Sequence, residues 1–140
     1  MTNTQLVDLA KKARENAYVE ISGFKVGAAL LTKCGRVFTG CNIEDPSGIG
    51  ITNICAERCA IVKAVSEGYK DFERIAVVGG TASSDAAASH ELIFCTPCGA
   101  CRQYLNSYNS EIIVVLGFGA GEEKELRLSE LLPYSFNEKF

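Results

Sequence analysis

The chain has little of what most binding or export roles require. Its 140 residues carry a net charge of −3 and no stripe of Lys and Arg. The electrostatic footprint for holding a phosphate backbone is missing, so nucleic acid is not an expected partner. No apolar run approaches the roughly 20 residues of a membrane-spanning helix. The opening stretch MTNTQLVDLAKKARENAY has no apolar core of signal-peptide length. The expectation is a cytoplasmic protein without membrane contact, in a compartment that keeps thiols reduced. Internal repeats and linkers are absent too, which predicts one domain over residues 1–140. The single histidine, His90, lies in a polar loop and reads as a bystander.

Cysteine, in contrast, is plentiful. Seven is an odd number without a small-scaffold pattern, so disulfides are the least expected use. Three of the seven crowd into CTPCGACRQ, residues 95–103. The surrounding pattern gives them a setting. Leu6, Leu9, Ala10, Ala13 and Ala17 recur at helical spacing and predict an amphipathic helix from about Thr4 to Ala17. FKVGAALLTK and RVFTGCNIE read as strands joined at Cys34-Gly35. ICAERCAIVKAVSEG reads as a helix stopped by Gly68, and RIAVVGG as a buried strand. TASSDAAASHEL reads as a loop, and a helix follows from near Cys98, because Pro97 suits the start of a first turn. EIIVVLGFG is a further strand, Glu122-Glu123-Lys124-Glu125 a solvated turn, and RLSELLPYSFNEKF a short helix with a tail. Helices alternating with strands after an opening hairpin predict a three-layer α/β/α sandwich on a mixed five-stranded sheet.

On this reading Cys98 and Cys101 share the first turn of one helix and Cys55 stands near the start of another. Helix starts favour thiolate. If the two starts converge, three thiolates make three zinc ligands and leave the open fourth position of a catalytic site. Glu57, two residues after Cys55, is then placed for acid–base work. Other readings stay open at this point. Cys98 and Cys101 could be small buried hydrophobes, the favoured reading for Cys34, Cys41 and Cys95. Cys59, one helical turn after Cys55, could close a structural Cys₄ zinc. A C-x-x-C at a helix start could be a redox dithiol. None of the three prolines, Pro46, Pro97 and Pro133, precedes a later strand as the cis-proline of that redox fold does.

Cys55-Ala56-Glu57 followed by Pro97-Cys98-Gly99-Ala100-Cys101-Arg102-Gln103 resembles the zinc nucleoside deaminases, specifically the small cytidine deaminases in their all-cysteine form. Phe24-Lys25-Val26-Gly27-Ala28-Ala29-Leu30 and Gly40-Cys41-Asn42-Ile43-Glu44 match as well, and the resemblance runs from the first helix to Leu131-Leu132-Pro133. It implies one Zn²⁺ per chain on Cys55, Cys98 and Cys101, with Glu57 moving protons between water, ring N3 and the departing amino group. It implies that Asn42 and Glu44 hold the ribose hydroxyls, that Phe24 packs near the sugar, and that the backbone of Ala56 meets the pyrimidine edge. Arg58 and Arg102 match positions that offset thiolate charge. Phe136 matches an aromatic that closes over a neighbour's pocket in a homotetramer with shared sites.

The activity implied is hydrolytic deamination of cytidine and deoxycytidine in pyrimidine salvage. The chain departs from the family where Glu20-Ile21-Ser22 stands in place of Pro-Tyr-Ser, and in two longer segments, 45–54 and 79–96. Both segments flank the expected pocket, so a blasticidin-S-like or other amino-heterocycle substrate is the alternative within the class. Outside it, the alternative is a non-catalytic protein with a structural zinc or a redox dithiol.

Overall fold

The computed structural model describes residues 1–81 and 92–138. The predicted loop TASSDAAASHEL lies almost wholly outside the described residues, as does His90. The first helix, α1, spans Asn3–Arg14. Thr2 caps it: the Gln5 backbone N–H donates to Thr2 Oγ1 at 3.1 Å, and Gln5 Oε1 accepts from Thr2 N at 2.9 Å. It ends before Ala17 because Glu15, Asn16 and Ala17 bond three residues back, to Lys12, Ala13 and Arg14, and tighten the last turn into a loop.

Strands β1 (Phe24–Thr32) and β2 (Val37–Cys41) form the predicted hairpin. Helix α2 (Ala56–Ser66) stops two residues before Gly68. Then come β3 (Phe72–Thr81), the two-residue β4 (Leu92–Ile93), helix α3 (Gly99–Tyr108), β5 (Ile113–Phe118), β6 (Glu122–Arg127) and a short α4 (Leu128–Leu131). The sheet runs β2-β1-β3-β5-β6, which matches the expected count of five, although the sequence pattern marks only the first four of these as strands. A sixth, β4, pairs with β3 at Gly79 and Gly80, past the point where β5 leaves it. Among the described strands β3–β5 is the one parallel pair and the others are antiparallel, so the sheet is mixed. A parallel pair needs a crossover, and α3 provides it.

One expectation fails. Glu122-Glu123-Lys124-Glu125 is not a turn but the body of β6, paired with β5 from Phe118↔Glu122 to Ile113↔Arg127. Its charges mislead because β6 is an edge strand with an exposed face, where charged side chains are tolerated and discourage further pairing.

Layering explains why GAALL in β1 does not alternate. Ala28 and Leu30 join α2, α3 and α4 in one core cluster, with Ile61, Ile75, Leu105, Leu116 and Leu128. Ala29 and Leu31 point the other way and join Leu6, Val7 and Ala10 of α1. A strand buried on both faces reads as a continuous apolar run. The result is the α/β/α sandwich, with α1 on one face and α2, α3 and α4 on the other.

Two glycines set the spacing of these layers. A Cβ on Gly27 would lie 2.0 Å from Ala10 O and 2.7 Å from Arg14 N, so β1 presses directly on the backbone of α1. A Cβ on Gly40 would lie 2.4 Å from Ala56 O and 2.6 Å from Ala60 N, so β2 presses equally on α2. Neither contact can yield without moving backbone. Gly27→Ala and Gly40→Ala are each expected to destabilise the fold by about 2–3 kcal/mol, the upper range for overpacking, read as a lower urea midpoint with an unchanged denaturant slope. A midpoint equal to that of the parent chain would show that the layers are not held at this distance.

Candidate metal centre and active site

Helices α2 and α3 start beside each other at one end of the sheet. Cys55 is the N-cap of α2 and Cys98 the N-cap of α3. Neither sulfur caps its own helix. Where Ser or Asp would bond back to the second or third N–H, these side chains turn toward each other. Cys55 Sγ lies 3.7 Å from Cys98 Sγ, and Cys98 Sγ lies 3.5 Å from Cys101 Sγ, on the first turn of α3. All three sulfurs fall within 4.8 Å of one another. A tetrahedral zinc with Zn–S bonds of about 2.3 Å needs sulfurs about 3.8 Å apart. The donor set and its spacing therefore fit the ion. Among the described residues this is the one such cluster, and Cys59 is not part of it. Cys59 sits one turn along α2, where its Cβ backs onto Gly40. The closed Cys₄ arrangement is not formed.

The thiols share their protons unequally. Bonding from Cys101, and then from Arg58, holds the Cys55 thiol down at about 5, while burial works against them. Cys101, which makes that bond and is itself buried, is pushed up. Arg58 Nη2 donates to Cys55 Sγ at 3.4 Å. Arg58 is thus placed to offset thiolate charge. Arg102, expected to do the same, makes no bond to a sulfur among the described residues; its Nε, Nη1 and Nη2 donate to Pro97 O, Leu131 O and Thr96 Oγ1 at 2.7, 2.6 and 3.0 Å. Three well-placed oxygens satisfy the guanidinium fork there.

Glu57, the second residue of α2, is 4% exposed. Burial raises its carboxyl to about 7, and the neighbouring Cys55 charge adds to the rise. It faces a cavity of about 210 Å³ lined by Phe24, Val26, Asn42, Ala56, Cys95 and Thr96, together with Cys55 and Cys98. Phe24, Asn42 and Ala56 were expected there. Glu44 and Phe136 are not among the described residues that line it. Glu44 Oε1 accepts from the Ile21 and Ser22 backbone N–H groups, both at 3.1 Å. These bonds, with one from the Ser22 hydroxyl, hold its carboxyl below the usual range. Phe136 is 57% exposed and lies against α3, where Gln103 Nε2 donates to its carbonyl at 2.8 Å.

Sequence reasoning missed Cys95 as a wall of the cavity. Burial first, and the Glu57 charge second, raise its thiol to about 11. Gly79 makes room for it, since a Cβ there would lie 2.6 Å from Cys95 Sγ. The signal available was its spacing of three from Cys98. Cys34, read as a small buried hydrophobe, is exposed in the β1–β2 turn, where the Thr32 hydroxyl meets its sulfur at 3.3 Å.

Converging thiols beside a buried carboxyl at paired helix starts make an arrangement that could hold a metal ion next to an acid–base group. Residues 1–116 match the family described as the cytidine and deoxycytidylate deaminase zinc-binding region, and the chain belongs to that family. It is 45% identical over 137 residues to a cytidine deaminase of Halalkalibacterium halodurans, covering 97% of this chain and 95% of the relative. It is 42% identical over 136 residues to a cytidine deaminase of Sporosarcina psychrophila, covering 96% and 91%. The crystal structure of cytidine deaminase from Burkholderia pseudomallei superposes with a TM-score of 0.82 at 41% identity, covering 97% of this chain and all of that one.

Asn42 has a task in the free chain. Its Oδ1 accepts from Val26 N and its Nδ2 donates to Phe24 O, both at 2.8 Å. Asn42→Ala is expected to lower stability without any substrate present, by about 1–3 kcal/mol for two part-buried backbone groups left unmatched. Substrate-free urea denaturation measures this; an unchanged midpoint would confine Asn42 to ligand binding.

Proposed function

We propose that the chain hydrolyses cytidine and deoxycytidine to uridine and deoxyuridine, releasing ammonia. The observation that carries this is the cluster of Cys55, Cys98 and Cys101 at the same cavity as buried Glu57. A zinc ion on the three thiolates would supply an activated water and a Lewis acid. The chain's own residues do the rest. Glu57 takes a proton from the attacking water and delivers it to ring N3. It then takes the second proton from the new C4 hydroxyl and passes it to the amino group, which leaves as ammonia while C4 becomes the carbonyl. Its burial keeps the bulk solvent from exchanging that proton first. Arg58 tempers the charge of the thiolates. Phe24 packs beside the sugar, and the Ala56 backbone meets the pyrimidine edge. Asn42 and Glu44 hold the ribose hydroxyls, both already oriented by bonds to neighbouring backbone. The cavity admits a small molecule, and the chain has no basic stripe for a polynucleotide.

The proposal extends to one deaminase domain over residues 1–140, one zinc per chain, a homotetramer in which Phe136 closes over a neighbour's cavity, and work in pyrimidine salvage in the cytoplasm. A site built on reduced thiols suits a compartment that keeps them reduced. The exposed Phe136 ring near the chain end supports the shared-site arrangement.

Four measurements test these points. Ammonia release is expected from cytidine and deoxycytidine in a panel that also holds adenosine, guanosine and blasticidin S. Release from blasticidin S alone would move the chain to another substrate within the class, and release from none would remove the enzyme reading. Glu57→Gln should keep zinc and substrate binding while turnover falls by the ~10²–10⁴ of a lost general acid–base; activity within a few-fold of the parent would take Glu57 out of the mechanism. Metal analysis should find about one zinc per chain, retained in Cys59→Ala and lost in Cys98→Ala. Light scattering should find a tetramer, and a fully active monomer would end the shared-site idea alone.

A further inference from the structure

Cys98 is exposed, whereas Cys101 is buried inside α3. Cys98 also ends a loop, Phe94–Pro97, with no regular pairing of its own. Something must hold its sulfur at 3.5–3.7 Å from the other two. Arg102, the residue after Cys101, bonds to each of the three residues that lead into α3. Its backbone N–H donates to Cys98 O at 2.9 Å, its Nε to Pro97 O at 2.7 Å and its Nη2 to Thr96 Oγ1 at 3.0 Å. The remaining nitrogen, Nη1, reaches across 29 residues to Leu131 O at 2.6 Å, at the end of α4. Helix α4 is itself seated by Leu128, which is fully buried. Because the guanidinium is planar and rigid, fixing one oxygen on α4 fixes the other two in the loop.

We propose that Arg102 is a positioning residue for the thiol cluster, acting as a bracket that pins the Thr96–Cys98 loop to the end of α4. Its role is geometric, and its charge is incidental. This rests on the metal reading of the three thiols. It differs from the resemblance, which gave Arg102 a charge-offsetting task alongside Arg58. It also gives α4 and the chain beyond β6 a part in the metal site, although they contribute no ligand.

The test separates shape from charge. Zinc release from the folded protein to a chromophoric chelator is timed for the parent chain, Arg102→Lys, Arg102→Gln and Thr96→Val, each checked by circular dichroism. Arg102→Lys keeps the charge and loses the fork. It is expected to release zinc about 10–100-fold faster, as when an outer support of a metal ligand is removed, and Arg102→Gln to match it. Thr96→Val removes one bond of the bracket with no change in charge and should release faster than the parent by a smaller factor. It carries the test if the arginine variants do not fold. In the Arg102→Lys, Thr96→Val double variant the Thr96 effect should vanish, since the bond it breaks is already gone. Parent-like release from Arg102→Lys, with only Arg102→Gln impaired, would make the role electrostatic and overturn the proposal. Parent-like release from Thr96→Val with additive behaviour in the double variant would overturn it too. A parent chain that binds no zinc would instead defeat the metal reading.

Discussion

Two helices have to begin at the same point in space. Cys55 and Cys98 are 43 residues apart in sequence, each is an N-cap, and their sulfurs lie 3.7 Å from each other. Several parts of the described structure hold that junction. The sheet supplies a common floor for α2 and α3. Gly40 lets β2 press on the first turns of α2, against Ala56 and Ala60, which flank Glu57 on either side along the helix. The bonds from Arg102 tie the lead-in of α3 to α4. Helix starts also leave backbone N–H groups without partners inside the helix. Two such sets converging on one place favour negative charge there, and that makes cysteine a workable ligand in a pocket with one carboxylate already buried.

The electrostatics of the site are an asymmetric sharing of charge. Cys55, bonded by Cys101 and reached by Arg58, is the thiol most ready to ionise. Cys101, inside the helix, and Cys95, in the cavity wall, hold their protons more firmly than a free thiol. Glu57 answers to the same field, since burial and the nearby thiolate both resist its ionisation. Thiols of one residue type thus take different states according to depth and neighbours, which spacing in a sequence does not record.

The sequence announced the elements with strong local signatures: the amphipathic α1, the hairpin at Cys34-Gly35, the helix before Gly68, and the cysteines at helix starts. The structure brings Cys55, Cys98 and Cys101 together as one group. What stayed hidden depended on tertiary partners. Nothing in EEKELR says that it lies along β5 as an edge strand. The Asn42 side chain looked free for a ligand, and only the fold shows it closing on Val26 and Phe24. Arg102 was read by its charge, because the oxygen that orients it, on Leu131, is distant in sequence. Cys95 and Thr96 became cavity walls only once β4 had placed their loop beside β3.

The edge strand β6 has a bearing on how copies of this chain meet. Its exposed positions include Glu122, Glu123 and Glu125, with Lys124 between them. Bringing two such edges together would strip water from these charges while asking the strands to exchange backbone hydrogen bonds. This side of the sheet therefore rejects its own image. A continuous sheet running from one molecule into the next through β6 is disfavoured.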